Sequence, residues 1–151
     1  MTKFKKITAA VVAAVSMASI GMTAFAVSPF SESDLRTFHF DIGDGIYGFT
    51  GLDFSDPVSK VGDQKYAEAR VESGNPAPSH SEPLYVYITT AERTEAKYRV
   101  TDTAEITYVT TYGGNFTRLD YYSGKGIKGN TYYLAGATDE YNLNVTGRWC
   151  P

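Results

Sequence analysis

"LYVYITT" (residues 84–90) decides the fold. Leu84, Val86 and Ile88 recur at every second position with Tyr85, Tyr87 and Thr89 between them. That period of two, built from β-branched and aromatic residues, belongs to a strand that lays one face on a core. The same texture returns in "AKYRVT" (96–101), "AEITYVTTY" (104–112), "NFTRLDYYS" (115–123), "TYYLAG" (131–136) and "YNLNVTGRW" (141–149). These runs are short, dense in Tyr, Thr, Val and Ile, and divided by polar or glycine-containing turns. Within "NFTRLDYYS", Leu119 and Tyr121 share a face opposite Phe116, Arg118 and Asp120. Gly113-Gly114 suits a tight hairpin turn, and Gly124, Gly126 and Gly129 in "SGKGIKGN" mark a longer loop. The pattern predicts an all-β domain, a small antiparallel β-sandwich or barrel of about seven to eight short strands.

Upstream the chain is richer in breakers. "RTFHFDI" (36–42) alternates in the strand manner and "YGFTGLDF" (47–54) spaces its aromatics likewise, whereas "QKYAEAR" (64–70) is made of helix formers and leans helical. "ESGNPAPSHSEP" (72–83), with Pro76, Pro78 and Pro83, reads as an exposed loop. Residues 27–83 are therefore expected to form a loop-rich N-terminal part with one or two strands, and 84–151 the antiparallel part of the same single domain.

The first 26 residues differ in kind. Lys3, Lys5 and Lys6 precede an apolar run from Ile7 to Ile20 that closes on Ala24-Phe25-Ala26. This is the pattern of a signal-peptide helix cleaved after Ala26, and it predicts a secreted, extracellular protein. No second apolar stretch is long enough to hold the remainder in a bilayer, so no stable membrane insertion is expected after cleavage. Of the 14 Lys and Arg the leader takes three, which leaves 11 against 17 Asp and Glu, a net charge of −6. The remaining bases are dispersed singly among acids along the sequence, so nucleic acid is not an expected partner.

Candidate chemistry is sparse. Of the two histidines, His39 lies in an alternating strand, pointing to solvent, and His80 in the proline-rich loop. No nucleophile elbow, papain-like cysteine context or zinc-binding helix motif accompanies them, so no catalytic residue and no cofactor is assigned. Asp41, Asp44, Asp53 and Asp56, with Gly43 and Gly45, are weak calcium candidates, because calcium takes several oxygen ligands from flexible turns. Their spacing does not match an EF-hand, and turn carboxylates also cap backbone amides.

The end of the chain, "YNLNVTGRWCP" (141–151), holds the single Trp and the single Cys. Leu143 and Val145 alternate with polar neighbours and are expected on the core face, with a bulge at Gly147 that shifts the register by one and lets Trp149, the anchor of the strand, face inward or cover the end of the core. Cys150 is then expected to face solvent. Being alone, it can form no intrachain disulfide, but an exposed thiol in an oxidising compartment could join two chains in a Cys150 disulfide dimer.

"KGNTYYLAGATDEYNLNVTGRWCP" (128–151) resembles the C-terminal part of small secreted proteins of Gram-positive bacteria grouped as a family of unknown function, the DUF2712 type. Tyr133, Leu134, Tyr141, Asn142, Val145, Gly147 and Trp149 carry the likeness, and Cys150 stands where relatives tend to have serine or an acid. The resemblance implies a small, β-rich, exported protein and no particular reaction. The functional expectation is a noncatalytic extracellular binding or interaction module whose partner is an extracellular protein or a cell-wall glycan. Its 12 tyrosines are either core-facing or form an exposed aromatic platform. A bacteriocin-like secreted antimicrobial, to which the lactococcin 972 type is distantly similar, and a small secreted hydrolase are the alternatives.

Overall fold

The computed structural model describes residues 30–43, 51–110, 115–139 and 142–151. The expected signal peptide, Asp44, the Gly113-Gly114 turn and Tyr141 lie outside the described residues. Among the described residues nine strands run in chain order: β1 (Arg36–Ile42), β2 (Gly51–Phe54), β3 (Val58–Ser59), β4 (Tyr66–Asn75), β5 (Leu84–Thr89), β6 (Ala104–Ile106), β7 (Thr117–Asp120), β8 (Thr131–Thr138) and β9 (Leu143–Cys150). They form two antiparallel sheets, β1-β9-β4-β7 and β2-β8-β5-β6, with β3 also paired to β8. The all-β, two-sheet expectation holds. Among the described residues the sole helical element is a 3-10 turn at Ala96–Tyr98.

The core lies between the sheets and follows strand parity. Leu84, Val86 and Ile88 of β5 are fully buried, as their alternation requires, and face Phe38, Phe40 and Ile42 of β1 and Leu143, Val145 and Trp149 of β9 within one cluster. Leu119 and Tyr121 point inward while Arg118 and Asp120 stay exposed. Gly136 of β8 leaves its backbone bare where the ring of Phe40 crosses from the opposite sheet; a Cβ there would run into that ring.

Several expectations need correction. "QKYAEAR" does not turn helically: its last residues open β4, a ten-residue strand between β9 and β7. Ala67, Ala69 and Val71 line the core on one face, and Glu68 and Arg70 are covered on the other. Burial on both sides overrides the weak preferences of Ala, Glu and Arg. The N-terminal part thereby supplies four strands instead of one or two.

"AKYRVT", read as a strand, is instead the 3-10 turn followed by isolated bridges at Arg99 and Thr101. One side chain takes over a ladder bond, the Ile88 N–H donating to Thr101 Oγ1 at 3.0 Å, while the backbone Val100 N–H donates to the Ile88 carbonyl at 2.9 Å.

The bulge expected at Gly147 sits on the partner strand, between Val71 and Ser73 of β4, and the β1–β9 register is unbroken. Residues 143, 145, 147 and 149 are all even steps apart, so Trp149 faces inward without a shift. Gly147 is needed for another reason. A Cβ there would run into the Arg70 carbonyl oxygen and would lie 2.5 Å from Phe38 Cζ.

Candidate functional site: a lysine-lined cleft

Between β7 and β8 the glycines of "SGKGIKGN" shape a loop that stands off the sandwich. Gly124, Gly126 and Gly129 have φ of 75°, 68° and 85°, the left-handed region that glycine enters without strain. Gly126 also presses its bare backbone on the Tyr121 ring, which a Cβ would strike. The loop is fastened along its second half: the Ile127 N–H donates to Tyr132 Oη at 2.8 Å and the Gly129 N–H to the Lys60 carbonyl at 2.8 Å. The Tyr121 N–H donates to the Lys65 carbonyl at 3.0 Å, which draws the start of β4 to the same place.

The result is an open cleft of about 680 Å³ lined by Asp63, Lys65, residues 121–126, Ile127 and Lys128. Lys65, Lys125 and Lys128 are exposed around it. Asp63 is the one acid in the lining, 3.9 Å from the Lys128 ammonium. The amides of Ser123, Gly124 and Lys128, all exposed residues, donate to no described residue. Behind the wall lies Lys60, almost fully buried, with Nζ 4.9 Å from the Tyr121 ring centroid and no hydrogen-bond acceptor among the described residues. Burial pushes its pKa down, and burial likewise pushes the Tyr121 hydroxyl far up. The Lys60 charge is partly met by the ring face.

None of these lysines was singled out from the sequence. In the chain they are separated by some sixty residues; what the sequence did carry is the glycine spacing around Lys125 and Lys128.

The residues that were singled out fall elsewhere. Of the calcium candidates, Asp41 and Asp53 come together, but as a clasp between edge strands: Asp53 accepts the Asp41 N–H at 2.9 Å and the Phe54 N–H at 2.8 Å. Asp56 borders a smaller depression of about 310 Å³ with Arg36 and Val61. Among the described residues no three His, Cys, Asp or Glu side chains gather as a metal site. His39 is exposed, as expected, with Nδ1 3.1 Å from Thr146 Oγ1, and His80 is exposed on its loop.

Trp149, Leu143, Val145 and Gly147 all face the core. Cys150 does point away from Trp149, yet it is buried, with Phe30 and Leu35 over it and Tyr66 and Phe116 beside it. Its expected solvent exposure is therefore wrong. Burial raises the thiol pKa to about 11, helped by the nearby Asp34 carboxylate and offset by Lys60 and Arg36. A disulfide between chains would first require this cover to open. The cover is pinned by charge: Arg70 meets Glu72 at 2.7 Å and Glu32 at 3.3 Å, Arg148 reaches both acids, and the Arg70 guanidinium lies 4.6 Å from the Phe116 ring centroid.

The tyrosines divide between core and surface. Tyr121 and Tyr132 are buried with ring centroids 5.4 Å apart, and Tyr87 is covered by the Arg99 guanidinium at 4.0 Å. Tyr108 and Tyr122 are exposed, on different loops. Tyr66, Tyr85, Tyr98 and Tyr133 are half-buried.

The class that the fold and cleft define is a small two-sheet antiparallel β-sandwich with a basic surface cleft. Comparison with family models, curated proteins and solved structures finds no match to this chain.

Proposed function

We propose that this chain is exported and works outside the cytoplasm as a noncatalytic binding module, with the cleft beside the glycine loop as its ligand site. The observation that carries the reading is the cleft itself: an open cleft of about 680 Å³ in which three lysines and backbone amides without an acceptor among the described residues outnumber the single carboxylate of Asp63. Such groups hold a ligand by charge and hydrogen bonds. The leader pattern and the DUF2712-like C-terminal sequence support export from a Gram-positive cell.

Expression of the full chain with its own leader in a Gram-positive host tests both halves. The protein is expected in the medium or on the envelope with its N-terminus at Val27, and it should sediment with isolated walls. Retention in the cytoplasm with an intact N-terminus would refute export, and failure to bind any envelope fraction would refute the module. Growth inhibition of related bacteria by the recovered protein would favour the antimicrobial reading, and solubilisation of wall polymers the hydrolase.

A further inference from the structure

We infer that the cleft is a phosphate site that takes the phosphodiester groups of a polyanionic envelope polymer, with Lys65, Lys125 and Lys128 as counter-charges and the loop amides as donors. The inference rests on the binding-module reading above and specifies its ligand. The first argument is the local charge. Elsewhere acids outnumber bases, yet here three exposed lysines meet a single aspartate, and a fourth lysine, Lys60, is buried behind the wall with no acceptor among the described residues. At physiological ionic strength charges are screened over about 8 Å, so an anion in the cleft responds to these groups more than to the distant acids.

The second argument is the backbone. Turns that place glycines at positive φ can form concave arrays of N–H groups suited to anionic oxygens. Here the consecutive amides of Ser123 and Gly124 and that of Lys128, next to the left-handed Gly129, have no acceptor among the described residues. The third is the type of cation. Lysine is a mobile point charge, whereas arginine grips one planar anion in a fixed fork. Three lysines around an open cleft suit successive phosphates of a chain that slides and rebinds, and each added phosphate raises the effective concentration of the next. The aromatic side chains do not offer a stacking platform for bases: Tyr121 is buried and Tyr122 donates its hydroxyl to Asp102 at 3.0 Å.

The test titrates the protein, expressed as the full chain and purified, with soluble poly(glycerol phosphate). Binding is expected to weaken about tenfold between 50 and 200 mM salt, as release of counterions from a few phosphate contacts requires. The triple variant Lys65→Gln, Lys125→Gln, Lys128→Gln should bind at least about tenfold more weakly with an unchanged melting temperature, because all three side chains are exposed. The double variant Arg93→Gln, Lys97→Gln, which removes exposed charge outside the cleft, should bind within about twofold of the parent.

Triple-variant binding equal to the parent's overturns the inference, and so does equal retention on uncharged dextran. Binding to phosphatidylglycerol vesicles without binding to the soluble polymer overturns it in favour of a membrane surface. Binding of inorganic phosphate without the polymer overturns it in favour of a small-anion site. Undiminished binding to walls stripped of phosphate polymers would overturn this inference while the binding module stands.

Discussion

Replacing Trp149 measures how much of the sandwich hangs on its last strand. The side chain is fully buried, and its neighbours across the ladder are Ala69 of β4 and Arg36 of β1. On the core face Ala67 and Ala69 leave the space that the indole fills, so truncation to alanine opens a void that neither can close. Trp149→Ala should therefore cost about 3–5 kcal/mol, the usual range for a buried aromatic. The indole N–H changes the expectation for phenylalanine. Nε1 is buried with no acceptor among the described residues, so the parent already bears the cost of an unbonded donor, on the order of 1–3 kcal/mol. Trp149→Phe removes that donor together with part of the packing, and should cost about 1–2 kcal/mol, less than half the alanine penalty. Urea unfolding followed by far-UV circular dichroism suits both variants, since tryptophan fluorescence is lost. With a slope of about 1–3 kcal/mol per molar, the alanine variant's midpoint should fall by roughly 2 M. An alanine variant within about 1 kcal/mol of the parent would refute the anchor, and a phenylalanine variant as unstable as alanine would show that the N–H is satisfied.

Cys150→Ser should cost about 1–3 kcal/mol, because the hydroxyl enters an apolar cluster formed with Phe30 and Leu35; a cost under about 0.5 kcal/mol, typical of surface sites, would place the thiol in solvent after all. In the same region, a thiol reagent should label native Cys150 far more slowly than the protein in urea, and equal rates would contradict the cover. Gly147→Ala should cost about 3 kcal/mol through overpacking against the Arg70 carbonyl and the Phe38 ring; a neutral result in thermal melts would mean that the strands separate there without penalty. The thiol pKa sets a pH dependence: with the folded value raised from 9.0 to about 11, the contribution of the protonated thiol is complete below pH 9 and lost as pH climbs towards 11. The stability advantage of the parent over Cys150→Ser should thus shrink by about 2–3 kcal/mol between pH 8 and 11. A constant difference would argue against a raised thiol.

Strand parity carried the sequence reading where one strand's own residues decide the outcome. Leu84, Val86 and Ile88 are buried, and so are Leu143, Val145 and Trp149, because every second side chain must turn the same way. Parity names a side, however, and leaves open what lies on it. Cys150 shows the difference: it was correctly set opposite Trp149, but that side is roofed by Phe30 and Leu35, which stand more than a hundred residues earlier in the chain. Arg70 and Glu68 repeat the lesson. On their own they lend β4 a helical look, and only the roof, with Phe116 against Arg70, makes a strand covered on both faces the better place for them.

The candidate site was hidden for the same reason in a stronger form. Lysines dispersed along a sequence describe a dispersed charge only if neighbours in sequence remain neighbours in space. A sandwich breaks that condition, since its loops bring together segments that its strands keep apart. Lys65 joins Lys125 and Lys128 because the Tyr121 N–H donates to its carbonyl, and the glycine loop turns back because Gly129 donates to Lys60. Net charge therefore bounds what approaches this protein from a distance, and the placement of a few backbone hydrogen bonds decides what its cleft can hold.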